Sequence, residues 1–263
     1  MKKISPNNME KNIKTYSSEK IVKLYMDLND PLQKPEETII ALLSKQLSNM
    51  KMLDIGVGGG RTTKYFSSLV HEYVGIDYSE KLTNVCKNKF PKLNFYTKDV
   101  RDLSTFSTSE FDFILFSYNG IDYISHEDRI TAFKQIKRVL KPNGYFYFSS
   151  HNIQAIEKWE RIPFSLNPLK FAKHLITHYK RKLINQLTTK KIKALQNEDY
   201  ITINDGAHYG QLETYYVNTE FQIKILEQAG YKNIRVFDLE NGKELIGKEI
   251  KYNQDTWLYY LCN

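Results

Sequence analysis

The run Gly56-Val57-Gly58-Gly59-Gly60 follows the short apolar segment Lys51–Ile55 and precedes a helical pattern from about residue 61 to 70. Strand, glycine-rich turn and helix together can hold a ligand against backbone. Glycine lets the chain approach closely, and the helix N-terminus offers free N–H donors. The spacing selects among ligands. Dinucleotide sites use G-x-G-x-x-G, whereas here the glycines fall as G-x-G-x-G and Arg61 stands where a third would be. No Gly-Lys-Ser/Thr follows, which removes a P-loop at this site. Two histidines stand where a base could act. His151 comes directly after a strand, in Ser149-Ser150-His151-Asn152, and His208 lies in the glycine- and tyrosine-rich stretch 205–216. A histidine titrates near working pH and can accept a hydroxyl proton.

The elements that must position these groups alternate. Apolar runs at 51–55, 72–76, 93–97, 111–116 and 145–148 read as strands, and 61–70, 82–89 and 128–140 as helices, the last stopped by Lys141-Pro142-Asn143-Gly144. This rhythm predicts an α/β fold on a parallel sheet with right-handed crossovers. Helices are expected over 9–50, broken at Asp30-Pro31. The rhythm stops over 152–212, read as a helical insertion. It resumes with a helix at 219–229 and strands at 234–238 and 256–261, a late pair that suggests a hairpin. The expected whole is one domain over 1–263: a Rossmann-like, seven-stranded, mostly parallel sheet with a C-terminal antiparallel strand, N-terminal helices, and the insertion as a lid.

Leu53-Asp54-Ile55-Gly56-Val57-Gly58-Gly59-Gly60-Arg61-Thr62-Thr63 resembles motif I of class I S-adenosylmethionine-dependent methyltransferases. Four further segments follow in the order of that family: Val74-Gly75-Ile76-Asp77-Tyr78-Ser79, Thr97-Lys98-Asp99-Val100, Phe111–Phe116 with Ser117, and Arg138-Val139-Leu140-Lys141-Pro142-Asn143-Gly144. The resemblance implies S-adenosyl-L-methionine as cofactor. Asp77, 21 residues after Gly56, would accept bonds from the ribose hydroxyls, and Asp99 with the backbone of Val100 would meet the adenine. Asp54, Gly56, Gly58, Gly60, Tyr78, Ser117 and Tyr16 complete the expected cofactor set. Each acid also has a plain structural reading, as a turn cap or a buried acid bonded to loop amides.

The segment after the fourth strand, Ser117-Tyr118-Asn119-Gly120-Ile121-Asp122-Tyr123, is not the Asn/Asp-Pro-Pro-Tyr/Phe of many N-methyltransferases. No carboxylate set of the cation-dependent type is recognisable, so no metal is expected. The expected reaction is methyl transfer to an oxygen of a small polar acceptor of sugar or phosphorylated type. Tyr118, Tyr209, Glu213 and Tyr215 would contact the acceptor, with His151 or His208 as base. Residues 206–216 faintly resemble methyltransferases of polysaccharide biosynthesis. Sugar amine N-methylation, tRNA or rRNA methylation, and a regulatory module that binds the cofactor without turnover are the alternatives.

Charge bears on the partner. The chain has 263 residues and a formal net charge of +8. Between Lys158 and Lys193 lie Arg161, Lys170, Lys173, Lys180, Arg181, Lys182, Lys190 and Lys191, with only Glu160 as an acid. Phe171, Leu175, Ile176, Tyr179, Leu183, Ile184 and Leu187 form an apolar stripe at helical spacing. The plain reading is a lid helix packed on the domain with a solvated basic back. A phosphate-bearing acceptor and a membrane surface are the sharper ones. No separate RNA-binding module stands out, so no stable nucleic acid partner is expected. No apolar run is long enough to span a bilayer, no secretory h-region follows the basic start, and Cys86 and Cys262 make no disulfide framework. A reducing cytoplasm is the expected compartment.

Overall fold

The computed structural model describes residues 7–27, 30–160, 162–185 and 188–263. Arg161 and Leu187 of the basic stretch lie outside them. The strands are β1 (Lys51–Ile55), β2 (Glu72–Asp77), β3 (Asn94–Thr97), β4 (Phe111–Phe116), β5 (Leu140–Asn152), β6 (Tyr200–Ile203), β7 (Thr214–Val217), β8 (Arg235–Phe237), β9 (Glu244–Leu245) and β10 (Trp257–Cys262). The main order is β3-β2-β1-β4-β5-β10-β8-β9, with β7 joining β5 to β6. The strands from β3 to β5 are parallel, whereas β10 is antiparallel to both β5 and β8.

The seven expected strands form the centre of this sheet, and β6, β7 and β9 extend it to ten among the described residues. Successive side chains of a strand point to opposite faces, and both faces are covered here. Ile114, Phe146, Phe148 and Tyr260 join one apolar cluster, and Phe113, Leu115, Tyr147 and Tyr259 join the other. This double burial is why the central strands read as continuous apolar runs.

The helices are α1 (Asn7–Tyr16), α2 (Glu19–Asp27), α3 (Lys34–Leu43), α4 (Thr63–Phe66), α5 (Glu80–Lys89), α6 (His126–Val139), α7 (Pro168–Ile184), α8 (Thr189–Leu195), α9 (Thr219–Gln228) and α10 (Lys248–Tyr252). Side chains cap three of them: Ser125 accepts from the Asp128 N–H, Thr188 from that of Lys191, and Asn218 from those of Glu220 and Phe221.

Four expectations need correction. The helix after the glycine turn is one short turn, because Gly56, Gly58 and Gly60 all hold positive φ and delay helical geometry to Thr63. Strand β5 begins at Leu140, before the expected turn. Its pairing with β4 jumps from Phe111–Leu140 to Phe113–Tyr145, so residues 141–144 bulge opposite Asp112. The last strands make no simple hairpin, since β9 and α10 intervene between β8 and β10. The insertion is not all helical. Its strand β6 pairs with β7, which takes up the edge of β5 beyond the end of β4 by pairing with His151 and Asn152.

Candidate active site

At the carboxyl ends of β1, β2 and β4 a cavity of about 610 Å³, counted out to its mouth, opens over the glycine turn. Gly56, Gly58, Asp77, Tyr78, Val100, Ser117, Tyr118 and Tyr16 are among the residues that line it. Open parallel sheets bind ligands at this edge because the loops there leave backbone groups free. Helix α2 lies directly on the turn. A Cβ at residue 59 would stand 1.9 Å from the Tyr25 carbonyl oxygen, so only glycine fits. A Cβ at residue 58 would meet the Tyr25 ring at 3.1 Å.

Asp77 closes the floor. Its carboxylate accepts from the N–H groups of Gly58 at 3.0 Å and Ser79 at 2.8 Å. Burial pushes its pKa up to about 6, with those two donors pulling the other way. The neighbouring Tyr78 hydroxyl is buried without a hydrogen-bond partner. An acceptor carboxylate, an unpartnered donor and bare glycine backbone on an otherwise apolar wall suit a ribose and its adenine. The residues present therefore fit an S-adenosylmethionine-type ligand.

The cover over the cavity comes from the N-terminal helices rather than from the insertion. Tyr16 of α1, Tyr25 of α2 and Tyr123 line the cavity, whereas no described residue of 152–212 does. The insertion supports this cover from behind through His208. Its ring centroid lies 4.8 Å from Tyr16 and 4.9 Å from Tyr123, and its Nε2 is 3.2 Å from the Tyr25 hydroxyl. Burial lowers the His208 pKa to about 4, so the imidazole is neutral at ordinary pH. His208 (φ 48°) and Tyr209 (φ 61°) both adopt left-handed backbone, a strained conformation for non-glycine residues.

His151 also lies outside the cavity lining and is placed differently from His208. Its Nδ1 and its backbone N–H both lie 2.7 Å from one oxygen of Asp122, which is fully buried. The other Asp122 oxygen accepts from Arg129 at 2.6 Å and from the Ser150 hydroxyl at 2.7 Å. Arg129, also fully buried, balances the acid. A carboxylate bound to Nδ1 sets the tautomer and leaves Nε2 as the acceptor. The His151 ring stacks on Trp257, whose ring contacts Tyr118 on the cavity wall at 5.1 Å between centroids.

Several expected residues stand elsewhere. Asp99 does not line the cavity, because Arg101 folds back and occupies both of its oxygens. Asp54 is buried, accepts from Thr62 and Tyr73 at 2.6 Å each, and lines a second, smaller pocket beside the same glycine turn; burial pushes it up to about 6. Gly60 makes room for Phe90, whose ring a Cβ would meet at 2.6 Å. Tyr215 is fully buried, its hydroxyl 2.8 Å from His126 Nδ1. Tyr209 is exposed under the Lys20 ammonium, and Glu213 is exposed; neither lines the cavity.

Sequence reasoning missed Tyr25, Tyr123, Asp122 and the pair Arg61–Glu36. Arg61 reaches Glu36 through two bonds of 2.7 and 2.5 Å, and the hydroxyls of Ser117 and Tyr259 converge on the same carboxylate. This network ties α3 and β10 to the glycine turn. The sequence signal for that pair was Arg61 standing where a third glycine would be. Among the described residues no group of three or more His, Cys, Asp or Glu is arranged to hold a metal.

Residues 52–144 match the family described as a methyltransferase domain. Over those residues the chain carries a methyltransferase domain. The ubiquinone biosynthesis O-methyltransferase of Pelagibacter ubique is 33% identical over 111 residues, 41% of this chain and 45% of that protein. The chain spans about half the length of the first curated relatives it matches. An S-adenosylmethionine-dependent methyltransferase of Clostridium acetobutylicum superimposes with a TM-score of 0.61 at 17% identity, covering 97% of this chain and 98% of that one. The 1,6-didemethyltoxoflavin-N1-methyltransferase of Burkholderia thailandensis, solved with 1,6-didemethyltoxoflavin and S-adenosylhomocysteine bound, gives 0.60 at 13% identity over 100% and 91%. At these identities the two structures share the fold with the methyltransferase domain.

Proposed function

We propose that this chain transfers a methyl group from S-adenosylmethionine to a hydroxyl oxygen of a small polar acceptor, without a metal. The observation that carries this reading is the Asp122–His151 pair at the end of β5, one ring away from the cavity wall.

When bound, the cofactor supplies an electrophilic methyl on a sulfonium. The chain's own task is alignment, water exclusion and proton removal. Asp77 holds the ribose hydroxyls, and the glycine turn lets the ligand approach backbone. Tyr16, Tyr25 and Tyr123 shut water out. His151 takes the acceptor proton at Nε2, and Asp122 holds Nδ1–H and stabilises the imidazolium that results. His208 supports the tyrosine cover and is not the base in this scheme, because its Nε2 already meets Tyr25.

The acceptor is proposed to be of sugar type. The exposed lysines of the insertion lie outside the cavity lining and lend no support to an anionic acceptor. The relative from Pelagibacter carries O-methyltransferase in its name and the neighbour from Burkholderia N1-methyltransferase, so relatives alone do not select the atom.

The test is calorimetric titration with S-adenosylhomocysteine, followed by a mass-spectrometric screen of sugars and nucleotide sugars for methyl gain. His151→Ala is expected to keep its affinity for S-adenosylhomocysteine and to lose about 10²-fold or more in turnover. No binding by the wild type overturns the reading. Methyl gain on amines alone, with His151→Ala fully active, moves the acceptor to nitrogen and removes the base.

A further inference from the structure

Helix α7 turns an apolar face to solvent. Leu169, Ile176 and Leu183 recur every seven residues, with Tyr179 between them, so the four share one side. They are 84%, 67%, 79% and 63% exposed, respectively, and Phe164 and Leu166 just before the helix are 78% and 90% exposed. The inward side is separate: Phe171 and Leu175 are half-buried and His178 is buried. Single exposed apolar residues are ordinary, but a contiguous row marks an interaction surface.

Charge says what covers the row. Residues 161–197 hold nine Lys and Arg and no acid, against +8 for the whole chain, so the remainder sums to −1. Lys173 and Lys180 are exposed and flank the row on the helix. A second copy docking through the same face would set this excess against itself. A nucleic acid would neutralise the lysines yet leave leucines and isoleucine uncovered. An anionic bilayer covers both, its acyl boundary taking the apolar row and its headgroups the ammonium groups.

We propose that α7 docks this protein onto an anionic membrane surface, lying in the interface. No helix among the described residues is long and apolar enough to cross a membrane. No residue of α7 lines the cavity, so the docked helix leaves the site open, and the proposal stands independently of the acceptor.

The experiment is cosedimentation of the full chain with phosphatidylcholine vesicles, with and without phosphatidylglycerol, at low and high salt. Binding is expected on the phosphatidylglycerol vesicles, weakening with salt. The triple variant Leu169→Ser, Ile176→Ser, Leu183→Ser should lose partitioning by roughly tenfold or more. Its unchanged titration with S-adenosylhomocysteine would show that it is folded. Lys173→Glu with Lys180→Glu should weaken binding only where phosphatidylglycerol is present. Wild-type protein left in the supernatant at low salt overturns the proposal, as does a triple variant that partitions like wild type. A dimer that the triple variant abolishes, without vesicle binding, assigns the face to a second copy instead.

Discussion

Helices α2 and α7 are both amphipathic, yet they face opposite ways. Helix α2 lays Ile21 and Tyr25 inward, and its backbone touches the glycine turn at Gly59. Helix α7 turns Phe171, Leu175 and His178 inward and leaves Leu169, Ile176 and Leu183 in solvent. An apolar stripe therefore says that a helix will be covered on that side, and not by what. The cover of α2 is the cavity it helps to close. The cover of α7 is proposed to be a membrane.

That contrast can be broken most forcefully at the packed end. Arg61→Met leaves Glu36 buried without its cation and should cost roughly 3–5 kcal/mol; the measurement is urea unfolding. A loss under about 1 kcal/mol would mean that the network does not hold α3 onto the glycine turn.

Asp77→Ala should weaken S-adenosylhomocysteine binding by roughly 1–3 kcal/mol at neutral pH. Because burial raises Asp77 to about 6, wild-type affinity should fall as pH drops through that value and the acceptor charge is lost. Calorimetry at several pH values checks this, and a variant that keeps the wild-type pH profile would remove Asp77 from the ribose contact.

His208 sharpens the comparison through pH. Its pKa is lower folded, at about 4, than the usual 6.5. The neutral ring therefore supports the fold above 6.5, and that support is lost as pH falls towards 4. The raised acids Asp54 and Asp77 act oppositely in the same window, so the readout is the difference between wild type and His208→Gln. Wild type should lose roughly 1–3 kcal/mol more than the variant on acidification. Parallel losses would place His208 in solvent. At the other extreme, Ile176→Ser on α7 should change stability by no more than about 0.5 kcal/mol. A larger loss in urea unfolding would mean that the exposed face is packed after all.

Much of the fold was legible because its signals are local. The central strands are buried on both faces and so read as unbroken apolar runs. Three positive-φ glycines in five residues marked the turn. The short strands β6, β7 and β9 were missed because each is held by an edge that exists only after the sheet has formed. Asp77, Tyr78 and Val100, singled out through the resemblance to the methyltransferase motifs, line the cavity. Asp99 looked equivalent to Asp77, but Arg101 two residues on captured it, a side-chain competition that spacing does not show. Tyr215 sat among tyrosines that looked like a substrate loop, yet its strand took it into the core.

Local pattern was enough to specify the sheet, the glycine turn and the order of the segments around it. Those depend on backbone geometry and on apolar periodicity within a few residues. Which histidine meets a carboxylate follows from the assembled fold, since Asp122 and His151 come together through the pairing of β5 with its neighbours. The assembled fold also decided which helices close the cavity and which helix is left with an apolar face in solvent. Each of those outcomes rests on contacts between residues far apart in the chain, where local pattern carries no information about the partner.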